Sequence, residues 1–170
     1  MKKIYLTAIL VFTIITSIFF FYSPKESESL LASTSSFSIQ FPNEPTIVSK
    51  DLPVPGQSIV LPYTEYKHGN YSVSFTTLPK SWTKWSSSMV LGGALKVILP
   101  SSASLFHKHS SKCSSFPALD YEASCPEGML LGKLILVGDN LYKVEAIYLL
   151  EEEKALAEQF INSFAPNLEG

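Results

Sequence analysis

Met129-Leu130-Leu131-Gly132-Lys133-Leu134-Ile135-Leu136-Val137 and Leu141-Tyr142-Lys143-Val144-Glu145-Ala146-Ile147-Tyr148-Leu149 are two apolar runs separated by Gly138-Asp139-Asn140. Runs of this length, rich in Leu, Ile, Val and Tyr and joined by turn-forming residues, predict two antiparallel strands in a hairpin. The period then changes. From Leu150 to Phe164 the apolar residues Leu156, Phe160, Ile161 and Phe164 return at helical spacing, and Pro166 ends the pattern. Glu151, Glu152 and Glu153 fall in the first turn, where the helix dipole favours negative charge. A hairpin followed by an amphipathic helix predicts a sheet with a helix laid across it.

Working outward, Phe37, Ile39 and Phe41 alternate with Ser38 and Gln40 and stop at Pro42, which predicts a strand with one strongly apolar face. Two further runs, Thr46 to Lys50 and Ser58 to Tyr63, are separated by Asp51, Pro53, Pro55 and Gly56. After the turn residues His68-Gly69-Asn70, Tyr71, Val73 and Phe75 alternate with Ser72, Ser74 and Thr76 as another half-buried strand. The apolar residues between Trp82 and Leu99 predict an inserted helix, interrupted at Gly92-Gly93. Ser101 to Ser115, rich in serine and lysine, reads as a loop or a poorly packed edge. The elements together predict a single α+β domain over residues 37–166, with a mainly antiparallel sheet, a C-terminal helix and an inserted helix, and residues 167–170 as a tail.

The N-terminus is of another kind. After Met1-Lys2-Lys3, Ile4 to Tyr22 is a 19-residue stretch without a charge. As a helix at roughly 1.5 Å per residue it would measure about 28 Å, the thickness of a bilayer's hydrocarbon core. Residues 1–23 are therefore expected to be a signal-anchor or a signal peptide, with Lys2 and Lys3 on the cytoplasmic side. Retained, the segment anchors the domain on the outer side of the cytoplasmic membrane; cleaved, it leaves a secreted or periplasmic protein. Phe19, Phe20, Phe21 and Tyr22 at its end make a poor cleavage site. Residues 24–36, with Ser, Glu, Lys and Pro, read as a Ser-rich tether.

All 13 basic residues are lysines against 15 acidic ones, so the guanidinium forks used to grip phosphates and guanine edges are missing, and nucleic acid is not an expected partner. Without Lys2 and Lys3, eleven lysines remain against 15 acids, a net −4, which offers no general attraction to anionic lipid headgroups.

Phe37-Ser38-Ile39-Gln40-Phe41-Pro42 with Pro45, Tyr71-Ser72-Val73-Ser74 with Leu78-Pro79, Gly138 to Tyr142, and Phe160-Ile161-Asn162-Ser163-Phe164 resemble the spaced landmarks of small exported bacterial proteins of the PsbP-like superfamily. The resemblance spans most of residues 37–166 and implies an α/β/α sandwich on an antiparallel sheet, often an accessory or assembly module rather than an enzyme. No functional motif of the photosystem proteins is carried with it.

Candidate chemistry is sparse. Cys113 and Cys125, twelve positions apart in an exported chain, are a disulfide candidate, and no C-x-x-C motif accompanies them. His107 and His109 would share one face of a strand, as would Asp120 and Glu122, but two histidines in a solvated Ser/Lys-rich stretch make only a weak metal site, and no cofactor is expected. With 25 serines in the chain, one beside a histidine means little without a G-x-S-x-G elbow, so no catalytic residue is assigned. Asn70-Tyr71-Ser72 is a sequon without meaning in a bacterial host. Trp82 and Trp85, just after a turn, are candidates for a partner-binding surface, with core packing as their ordinary alternative. The expected function is a non-catalytic, membrane-tethered binding or assembly module with an envelope protein as partner; the alternative is an exported small-molecule or metal-binding domain.

Overall fold

The computed structural model describes residues 30–54 and 58–167. The expected membrane segment, residues 4–22, the start of the tether and the last three residues lie outside that range. The described elements are β1 (Leu30–Ser33), β2 (Phe37–Phe41), β3 (Thr46–Pro53), β4 (Val60–His68), β5 (Tyr71–Thr77), α1 (Ser87–Ile98), β6 (Ser104–Cys113), β7 (Phe116–Cys125), β8 (Gly128–Val137), β9 (Asn140–Tyr148), α2 (Glu151–Asn162) and β10 (Ala165–Pro166).

Seven strands form one antiparallel sheet in the order β3-β4-β5-β9-β8-β7-β6, and β1, β2 and β10 form a small second sheet with β2 in the middle. The expected hairpin is β8–β9, and Gly138 at its turn has φ +58, a left-handed conformation that costs glycine nothing. Strand β8 is apolar on both faces because it serves two cores. Leu131 and Ile135 pack with Phe160 and Ile161 of α2 and with Phe37, Ile39 and Phe41 of β2. Leu130, Leu134 and Leu136 pack on the other side with Val90, Leu91 and Leu95 of α1. The small sheet and α2 therefore cover one face of the large sheet and α1 covers the other, an α/β/α sandwich.

Helix α2 begins where expected. The Glu153 carboxylate accepts hydrogen bonds from the Leu149 and Leu150 N–H groups at 2.9 and 3.2 Å, and these hold its pKa below the ordinary carboxylate value. Its buried face is Ala157, Phe160 and Ile161, with Phe164 following; Leu156, expected to share that face, is 58% exposed. A small alanine lets the helix approach the sheet, so Leu156 is turned outward.

One boundary is corrected. Leu30–Ser33, assigned to the tether, pairs antiparallel with Phe41–Ser38 as β1; its leucines are exposed, so backbone pairing rather than burial holds it. Of the two readings of Ser101 to Ser115, the structure has the edge: most of the stretch is strand β6, paired with β7 over ten residues of chain. An edge strand exposed along almost its whole length carries no apolar alternation, which is why its serines, lysines and histidines left the loop reading open. The inserted helix runs unbroken through Gly92-Gly93.

Gly132 of β8 stands directly between Tyr121 of β7 and Glu145 of β9 in the strand register. A Cβ at Gly132 would collide with the Tyr121 ring, so its absence lets the fully buried ring lie across β8. The Tyr121 hydroxyl then donates to Glu145 Oε1 at 2.6 Å. Gly132→Ala is expected to lower the free energy of unfolding by about 1 to 3 kcal/mol, read from the urea midpoint, because the ring has to leave its site. An unchanged midpoint would contradict this packing.

Candidate functional site

The two polar pairs singled out in the sequence meet across one hairpin. The β6–β7 register sets His107 opposite Glu122 and His109 opposite Asp120. Lys133 of β8 lies opposite Asp120 in turn, and all of these point to the α2 side of the sheet. With Glu158 and Asn162 of α2 they line a cleft of about 220 Å³. Asp120 is the centre of its pairing. His109 Nε2 lies 3.2 Å from Asp120 Oδ2, and Lys133 Nζ lies 3.5 Å from Asp120 Oδ1 and donates to Asn162 Oδ1 at 3.3 Å. Glu122 faces Lys154 at 4.0 Å.

The cleft is smaller than the few hundred cubic ångströms of ordinary ligand sites. His107 and His109 stand with ring centroids 5.4 Å apart, but the described residues contain no group of three or more His, Cys, Asp or Glu able to hold a metal ion. Exposed pairs of this kind contribute about 0 to 1 kcal/mol each. The arrangement is a surface ion-pair network that ties the β6–β7 hairpin to α2.

The expected disulfide between Cys113 and Cys125 is not formed; both thiols are free. Cys113 pairs with Phe116 at the turn end of the hairpin, whereas Cys125 lies at the far end of β7. Nine strand residues at roughly 3.3 Å separate these ends by about 30 Å, against the 7 Å or so that a disulfide tolerates. They also lie on opposite faces, Cys113 with the α2 core and Cys125 with the α1 core. Each thiol sits near a carbonyl, of Phe164 and Gly128 respectively, and burial pushes both pKa values up, so neither is an activated nucleophile.

A second polar cluster lies on the α1 side, where Glu145 accepts from both Tyr121 and Lys143. Burial works against the Lys143 ammonium, but Glu145, together with Tyr63 and Glu65, outweighs it and holds its pKa above the ordinary value. Burial, reinforced by Glu145, raises the Tyr121 phenol well above its usual range. Sequence reading passed over this cluster; its signal was Lys143 and Glu145, two residues apart in an otherwise apolar strand.

The tryptophans divide. Trp82 is half-buried against the α1 core, as the ordinary alternative had it, while Trp85 is 60% exposed. On the outer face of α1, Met89, Gly93 and Val97 recur at four-residue spacing, and Trp85 is exposed two residues before the helix, ahead of the extended N-cap Ser86. Met89 is 62% and Val97 72% exposed, and nothing lies within 4 Å of where a Gly93 side chain would be. Val90, Leu91 and Leu95 are buried beneath, while Met89 and Val97 lie on the outward side beside the exposed Ser88 and Lys96. Large apolar side chains grouped in the open, with Trp85 just before the helix, mark a candidate contact surface. Met89 and Val97 were missed because residues 82–99 read as core helix.

No family model and no curated protein sequence matches the chain. Among solved structures it is similar to cyanobacterial PsbP from Synechocystis sp., determined in solution, with a TM-score of 0.54 at 14% identity, covering 85% of this chain and 95% of that one. At this identity the likeness is one of fold, and the domain has the PsbP-like architecture.

The buried phenol gives a pH prediction. A tyrosine whose folded pKa exceeds its unfolded value stabilises the fold below the unfolded pKa, about 10, and that contribution is lost as pH rises toward the folded pKa. The unfolding midpoint of the native chain is expected to drop between about pH 9 and 11, and Tyr121→Phe to drop less steeply there. Parallel slopes for the two proteins would contradict the burial of this hydroxyl.

Proposed function

We propose that this chain is a non-catalytic binding or assembly module of the cell envelope, held at the outer side of the cytoplasmic membrane by residues 4–22, that docks on another envelope component through the outward face of α1. The observation that carries the reading is the exposure of Met89 and Val97 on a helix whose opposite side already belongs to the core, with Trp85 exposed just before its first turn. Aromatic and methionine side chains of this kind dominate the energetics of docking surfaces. The PsbP-like fold agrees with a binding role by analogy. Asp120 in the cleft is already engaged by His109 and Lys133, which supports the non-catalytic reading.

A photo-crosslinking residue placed at Met89 in intact cells should form an adduct with an envelope component, lost when Trp85 is changed to Ser. The same residue at Val48, on the exposed edge strand β3, should form none. Equal adducts from both positions, or none from Met89, would remove α1 as the docking face.

A further inference from the structure

We infer that the component met by the outer face of α1 is the anionic lipid surface of the membrane itself, an inference that rests on the docking reading above. The overall charge of the chain hides a strong asymmetry. From Tyr66 to Leu119 there is no Asp or Glu, while Lys67, Lys80, Lys84, Lys96, Lys108 and Lys112 all fall in that stretch and all are exposed. This acid-free stretch contributes the end of β4, then β5, α1 and β6.

The fold converts the asymmetry into two faces. Lys84 and Lys96 bracket the apolar stripe of α1, and Lys80 precedes it in the turn. Lys108, opposite the buried Tyr121 in the register, lies on the α1 side of the sheet, and so does Lys112, four residues on along the strand. Of the strand carboxylates on that side, Glu145 is engaged by Lys143 and Tyr121, and Glu65 lies half-buried near Lys143. The opposite layer is acidic: α2 carries Glu151, Glu152, Glu153 and Glu158 against one lysine, Lys154. Packed layers lie roughly 10 Å apart, which sets these glutamates about 20 Å from α1, beyond a Debye length of about 8 Å at physiological salt. A net-negative domain therefore presents a locally positive face.

Lipid fits this face better than a protein pocket would. Met89 and Val97 are exposed on a convex helix with Trp85 exposed just before it, and the stems of the lysines beside them can lie along the apolar layer while the ammonium groups meet headgroups, as at an interfacial segment.

The test uses the full chain carrying Trp82→Phe, so that Trp85 is the single tryptophan, reconstituted into phosphatidylcholine vesicles with or without phosphatidylglycerol. Brominated lipid should quench Trp85 in the anionic vesicles and not in the neutral ones. High salt or Lys84→Glu/Lys96→Glu should cut that quenching about threefold or more, as an electrostatic contact requires. The lysines are exposed, and salt changes no residue, so the two arms separate loss of contact from loss of fold. Trp85 open to aqueous iodide in both vesicle types would overturn the inference. If the Met89 crosslinker then captured a protein in cells, the docking reading would stand with a protein as occupant; if it captured nothing, both would fall.

Discussion

Strand β8 has to satisfy two cores at once, and the rest of the domain is arranged around that constraint. Its leucines alternate between α1 on one side and α2 with β2 on the other, so the chain must supply a cover for each face. Each leucine so buried contributes about 1.5 to 3 kcal/mol, which no edge strand could match. At Gly132, in the interior of β8, volume is withheld, and Tyr121 fills it from the neighbouring strand. The ring carries its hydroxyl across β8 to Glu145, which joins β7 to β9 through a buried, charge-assisted hydrogen bond.

The same layering brings polar side chains of neighbouring strands together: His109 and Lys133 meet at Asp120, Lys154 faces Glu122, and Lys143 and Tyr121 meet at Glu145. By contrast, the outer stripe of α1 has no intramolecular use. A helix with a core-facing side of Val90, Leu91 and Leu95 needs no Trp85, Met89 or Val97 on the other side to fold, and their exposure works against solubility. Function by contact, rather than by bond-making, is the reading that gives those residues a purpose.

Much of the architecture was legible wherever burial wrote a period into the sequence. The alternation of Phe37, Ile39 and Phe41, the β8–β9 hairpin and the helix ending in Phe160 and Ile161 all reflect side chains that enter a core. Strands held by backbone pairing left no such mark, so β1 read as tether and β6 as a loop or an edge. The pairing of His107 and His109 with Glu122 and Asp120 depends on a long-range register that neither pair encodes alone. The same register, with the alternation of faces, sends Cys113 and Cys125 to opposite ends and faces of the sheet, which their spacing could not reveal. At the docking face, Trp85 was recognisable as an amphipathic aromatic beside a turn. Its companions were not, because an apolar helix looks the same in sequence whether its second side is covered by the same chain or by something else.

The central claim is that the outer face of α1 is covered in the cell. Oxidative footprinting of the methionines tests it, because Met89 is on that face and Met129 packs in the opposite core and serves as an internal reference. In membranes from the native host Met89 should be protected relative to the detergent-solubilised chain, with Met129 unchanged. Oxidation of Met89 at the same rate in both preparations would show the stripe to be bare in its own setting and would contradict the account.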